Sequence, residues 1–63
     1  MYGQPPTHRV KLKIRNPDQP RQGPFEKVFK VKTDYRKNAK IRAEEIAKHL
    51  GFEVIDFVEF VDA

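Results

Sequence analysis

Two hydrophobic periods run along this chain. Over residues 8–15, His8-Arg9-Val10-Lys11-Leu12-Lys13-Ile14-Arg15, apolar and basic side chains alternate strictly. Val10, Leu12 and Ile14 fall on one face and Arg9, Lys11, Lys13 and Arg15 on the other, the period of two that a half-buried strand requires. Residues 25–33 repeat this more loosely. Phe25, Phe29 and Val31 share one face, with Lys27 among them, and Glu26, Val28, Lys30 and Lys32 share the other. The segment 16–24 between the two strands contains three prolines and Gly23, which predicts an exposed, semi-stiff loop displaying Asp18 and Arg21. Its length exceeds the roughly two to five residues of a tight hairpin turn.

From 35 to 50 the period becomes helical. Ala39, Ala43, Ile46, Ala47 and Leu50 fall on one stripe at 100° per residue, with Tyr35 at its edge and Ile41 on the opposite side. Thr33 or Asp34, with Asn38 as a later candidate, supplies the expected cap at the start. Gly51 stands where a left-handed residue closes a helix, and Phe52 is placed to fold back on the last turn.

Residues 52–61 break alternation. One parity holds Phe52, Val54, Asp56, Val58 and Phe60, and the other Glu53, Ile55, Phe57, Glu59 and Val61. A strand of this kind is covered on both faces, lies centrally in its sheet, or switches faces at a bulge.

These elements predict an α+β fold: a flexible tail at 1–7, then a single ββαβ domain over 8–63. It has a three-stranded mixed sheet and one helix packed on one face. The helical crossover makes the third strand parallel to the second. Pairing of the third strand with the first is favoured, because Glu53 and Glu59 then face Lys11, Lys13 or Arg15. The element order, with its basic hairpin, is similar to that of some small ribosome-associated proteins. That similarity is architectural and carries no residue roles with it.

Composition narrows the function classes. A chain of 63 residues is one domain and buries only about 60% of its unfolded surface, so its stability is marginal. It has no cysteine, which removes disulfides and thiolate metal sites and fits a reducing, cytoplasmic setting. The N-terminus lacks an apolar signal region, and no apolar run approaches the ~20 residues of a membrane span. Residues 1–42 carry twelve Lys/Arg against three Asp/Glu, a net of +9. Residues 43–63 carry one Lys against six Asp/Glu, a net of −5. Such asymmetry points to an anionic partner or to pairing of the two halves.

Two readings of the chemistry follow. In the first, the domain is a non-enzymatic nucleic-acid-binding module, RNA slightly favoured. Arg9, Lys11, Lys13, Arg15, Lys30 and Lys32 form a basic sheet face, and Arg36 and Lys37 add charge at the helix start. In the second, it is a protein-interaction module, a homodimer or small adaptor, with Ile41, Phe57, Val58 and Phe60 as the apolar centre. An enzyme is not expected: the chain has no Ser–His–acid set, no HExxH, no glycine-rich phosphate cradle and no paired histidines. No cofactor, metal, membrane or small-molecule partner is expected either.

Overall fold

The computed structural model describes residues 3–61. Three strands and one helix follow in the order β1 (Thr7–Arg15), β2 (Phe25–Lys32), α1 (Arg36–His49) and β3 (Glu53–Phe60). The class is therefore α+β with a single helix. The sheet order is β2-β1-β3, and both pairings are antiparallel. The expected mixed sheet is thus corrected. β2 and β3 do run parallel, but β1 lies between them, so every neighbouring pair is antiparallel. The expected pairing of β3 with β1 is present. β1 also begins one residue earlier than expected, at Thr7. Pro6, just before it, is held by the Thr33 amide, which donates to its carbonyl at 3.2 Å, and the first two residues of the expected tail lie outside the described residues.

The helix face of the sheet makes the core. Val10, Leu12 and Ile14 of the central strand are fully buried, together with Phe29 and Val31 of β2. The helix adds only Ala39, Ala43 and Ala47, at i, i+4 and i+8. Three alanines in a row let the helix backbone lie close to the sheet, and the sheet supplies most of the core's bulk. Burying each large aliphatic side chain of β1 contributes about 1.5–3 kcal/mol. The rest of the expected helix stripe is corrected: Ile46, Leu50 and Tyr35 are exposed. Half-buried Phe25, Phe52, Val54, Phe57 and Phe60 close the rim, with Phe25 and Phe52 edge-on at 6.0 Å.

The helix ends differ. The N-cap is Tyr35, whose side chain makes no capping hydrogen bond, and the first turn holds no acid. Thr33 and Asp34 therefore do not cap. Thr33 instead follows the last residue of β2, with its carbonyl accepting from His8 Nε2 at 3.2 Å. Asn38 lies inside the helix. The C-terminal end closes as expected. Gly51 has φ 92°, its amide reaches the Lys48 carbonyl at 3.0 Å, and the Phe52 amide reaches that of Ala47 at 2.9 Å. This is the paired 5→2 and 6→1 arrangement that a left-handed glycine permits.

β2 and β3 pair with β1 in different ways. The β1–β2 register runs unbroken from Thr7↔Lys32 to Ile14↔Phe25. The β1–β3 register shifts twice, between Lys13 and Ile14 and between Lys11 and Leu12, leaving Ile55 and Val58 as extra residues. These are two bulges three residues apart. The sequence of β3 fits them as a triplet repeat, Glu53-Val54-Ile55, Asp56-Phe57-Val58, Glu59-Phe60-Val61. The acids lie opposite Arg15, Lys13 and Lys11, and the middle residues pack on the core. The third residues of the first two triplets, Ile55 and Val58, are the extra ones and are exposed. Of the three explanations for the broken alternation, the bulge is the one the structure adopts. β3 is an edge strand, not a central one.

Candidate nucleic-acid interface

The sheet face turned away from the helix carries Arg9, Lys11, Lys13 and Arg15 of β1 beside Glu26, Val28, Lys30 and Lys32 of β2. The bulges of β3 bring its acids onto this face, one against every second residue of β1. Arg15 Nη2 meets Glu53 Oε2 at 2.8 Å, and Lys11 Nζ meets Glu59 Oε1 at 3.4 Å. Lys13 lies between Glu26 on one side and Asp56 on the other. Asp56 is also engaged locally, since its Oδ1 accepts the Phe57 amide at 2.8 Å. Each exposed ion pair contributes only about 0–1 kcal/mol of stability. Their larger effect is on the surface potential: Lys11, Lys13 and Arg15 each have a carboxylate alongside.

Past Glu59, β3 stays against β1, with the Val61 amide donating to the Arg9 carbonyl at 2.8 Å. On the β2 side, Arg9 lies opposite Lys30, and Thr7 opposite Lys32. Because β2 leads directly into α1, the helix starts at this same end of the sheet. Arg36, Lys37 and Lys40 gather there, at a helix start whose first turn holds no acid. The outcome is a basic pole rather than a basic face. Two of its cations also serve the fold. The Arg36 guanidinium lies 5.0 Å above the Phe60 ring, and Lys40 Nζ lies 5.0 Å above that of Phe57. Both rest on rings that the core leaves half open.

The residues expected to bind nucleic acid therefore separate into two groups. Lys11, Lys13 and Arg15 are engaged or flanked by acids. Arg9, Lys30, Lys32, Arg36 and Lys37 surround the pole. Tyr35 joins them. The sequence places it at the edge of the buried stripe, yet as the N-cap residue it stands 63% exposed. Of the four residues expected to form a partner surface, only Phe57 and Phe60 are brought together. Phe57 and Phe60 pack on the core with their rings 5.0 Å apart, Val58 sits at a bulge, and Ile41 lies on the far side of α1.

One signal in the sequence reveals this arrangement. Acids at 53, 56, 59 and 62 recur every third residue, against cations every second residue in β1. A three-for-two match of this kind implies regular bulging, and a search confined to periods of 2 and 3.6 passes over it. The grooves beside the helix are shallow. One is lined by Thr33, Asn38, Ile41, Arg42 and Glu45, and another by Lys40, Glu44, Lys48 and Val54–Phe57. No helix among the described residues is long and apolar enough to cross a membrane. No family model matches the chain, and no curated protein or solved structure matches it.

Proposed function

We propose that this ββαβ domain is a small, non-enzymatic nucleic-acid-binding module that grips phosphates with its basic pole. The observation carrying this reading is the register at the end of β2, where Lys30 lies opposite Arg9 and Lys32 opposite Thr7, next to a first helical turn that holds Lys37 and no acid. Arg9 and Arg36 add to the local potential. Phosphate backbones reward such a cluster through counterion release. Tyr35, exposed at the same end, offers a ring on which one base can stack. The aromatic residues of the strands point to the core side, so sequence preference is expected to be low. Single-stranded RNA is the first class to test. The absence of cysteine fits a reducing, cytoplasmic setting.

The test is binding of a labelled RNA oligonucleotide across a salt series. The expected affinity falls steeply with salt. Lys32→Glu with Lys37→Glu reduces the log–log slope by about 1.4, two phosphate contacts' worth. Lys11→Ala, whose ammonium is already held by Glu59, leaves the slope nearly unchanged. Salt-independent binding, no binding at low salt to RNA or DNA, or equal losses from Lys11→Ala and the pole variant each remove the proposal.

A further inference from the structure

The two edges of the sheet are unlike, and the difference carries a second inference, independent of the nucleic-acid reading. The β3 edge is bulged twice. Bulges protect an edge by interrupting the regular row of amides and carbonyls that a new strand would need. The β2 edge has no such interruption: its register with β1 is continuous over eight pairs. Its protection is chemical, through Lys27, Lys30 and Lys32, which discourage an arbitrary strand from pairing there.

Within that edge, one apolar residue is out of place. Val28 lies on the charged outer face and is 40% exposed, with Glu26 two residues before it and Lys30 two residues after. A two-fold axis through Val28 resolves all three at once. Antiparallel pairing of β2 with β2 of a second copy, centred on Val28, sets Val28 against the second copy's Val28. It also sets Glu26 against the second copy's Lys30, and Lys30 against the second copy's Glu26. One register therefore provides an apolar centre and two attractive cross-strand pairs, a self-complementary arrangement of the kind isologous dimers use.

The helix supports the same edge. Arg36 and Lys40 lean toward Phe60 and Phe57 of β3, so the opposite flank of α1 looks toward β2. Ile46 lies on that flank at 100° per residue, and it is 38% exposed although the apolar stripe includes it. The stripe is wider than a three-stranded sheet covers. A sheet continued beyond β2 extends beneath it.

We infer that the chain forms a two-fold homodimer by β2–β2 pairing about Val28, giving a continuous six-stranded antiparallel sheet with both helices on one face. Edge pairing of this length buries a small interface, so the dimer is weak and is populated at high micromolar concentration. Lys30 then serves the dimer, and the nucleic-acid pole is left to Lys32, Lys37 and their neighbours.

Sedimentation equilibrium without nucleic acid, from about 10 µM to about 1 mM, tests this. The wild-type chain is expected to show a reversible monomer–dimer equilibrium. Glu26→Lys and Lys30→Glu are each expected to weaken self-association by about tenfold or more, since each turns two attractive pairs into two repulsive ones. An equimolar mixture of the two variants is expected to recover a dimer, because both cross pairs are again opposite in sign. Both positions are exposed, and circular dichroism checks that each variant remains folded. A wild-type monomer up to 1 mM overturns the inference, as does a mixture no more associated than its components. A dimer indifferent to these substitutions but lost in Val58→Lys places self-association on β3 and overturns it equally.

Discussion

β2 and β3 flank the same central strand, lie antiparallel to it and contribute aromatic residues to the same core, yet they match it by different rules. β2 pairs residue for residue, and its core residues Phe29 and Val31 are two apart. β3 uses three residues for every two of β1, and its core residues Val54, Phe57 and Phe60 are three apart. The first rule makes a strand whose two faces are fixed by parity. The second makes a strand with three directions: one toward the core, one toward the cations of β1, and one left over at the edge. Charge neutralisation by an edge strand is therefore a consequence of bulging here, because regular alternation of the same residues would place half of the acids against the helix.

The sharpest way to break this comparison is to delete one residue from each strand. Removal of Val28 shifts everything on one side of the deletion to the opposite face, so that either Phe29 and Val31 or Phe25 leaves the core side. The expected result is loss of the folded state, because a chain of 63 residues has only about 3–9 kcal/mol of stability to lose. Far-ultraviolet circular dichroism and thermal melting read this directly. Removal of Val58 joins Asp56-Phe57 to Glu59-Phe60, which alternate correctly without the bulge. That variant is expected to stay folded, with a stability change within about 1 kcal/mol. If both deletions unfold the protein, the third direction of β3 is structural rather than spare.

A smaller effect is expected where β3 begins. Gly51 holds φ 92°, and no atom would touch an added Cβ, so Gly51→Ala tests backbone conformation alone. The expected cost is about 1 kcal/mol in urea denaturation, from placing an L side chain in the left-handed region. The smallest effect concerns the ladder itself. A double-mutant cycle on Arg15 and Glu53 is expected to give a coupling of about 0.2–1 kcal/mol at low salt, fading by 0.5 M salt. Its partner in the comparison is Lys30, which has Arg9 rather than an acid opposite it in the register. Lys30→Ala is expected to leave the stability of the monomer unchanged or to raise it slightly.

Elements with a single period were legible in the sequence almost to their ends. The strict alternation of β1 gave its faces, and Gly51 gave the helix stop. The pairing of β3 with β1 was also legible, because opposite charges on the two segments have few other ways to meet. Three features were not. The start of α1 lacks a side-chain cap because the helix begins at Arg36, which puts Tyr35 rather than Thr33 or Asp34 at the N-cap, a boundary that no local pattern encodes. Ile46 and Leu50 read as core, with Tyr35 at its edge, but the three-stranded sheet is too narrow to bury the first two and Tyr35 stands outside the helix as its N-cap. The placing of acids beside Lys11, Lys13 and Arg15 was hidden because it depends on two bulges. Residues assigned to a basic face by parity in β1 and β2 share that face, yet only a register with β3 could show that Lys11, Lys13 and Arg15 meet its acids.

The three alanines of α1 have a consequence for how this domain can vary. A helix seated by Ala39, Ala43 and Ala47 encodes its position by the absence of bulk, so the specifying information in fourteen residues is concentrated in three. The other positions are open to substitution for charge, solubility or recognition without disturbing the seat, and the basic cluster at the start of the helix occupies that freedom. Any larger residue at one of the three lifts the whole helix from the sheet, and with it the cations that rest on Phe57 and Phe60. Small size at three positions thus sets the clearance of the entire upper layer, while the identity of that layer's surface remains free to drift.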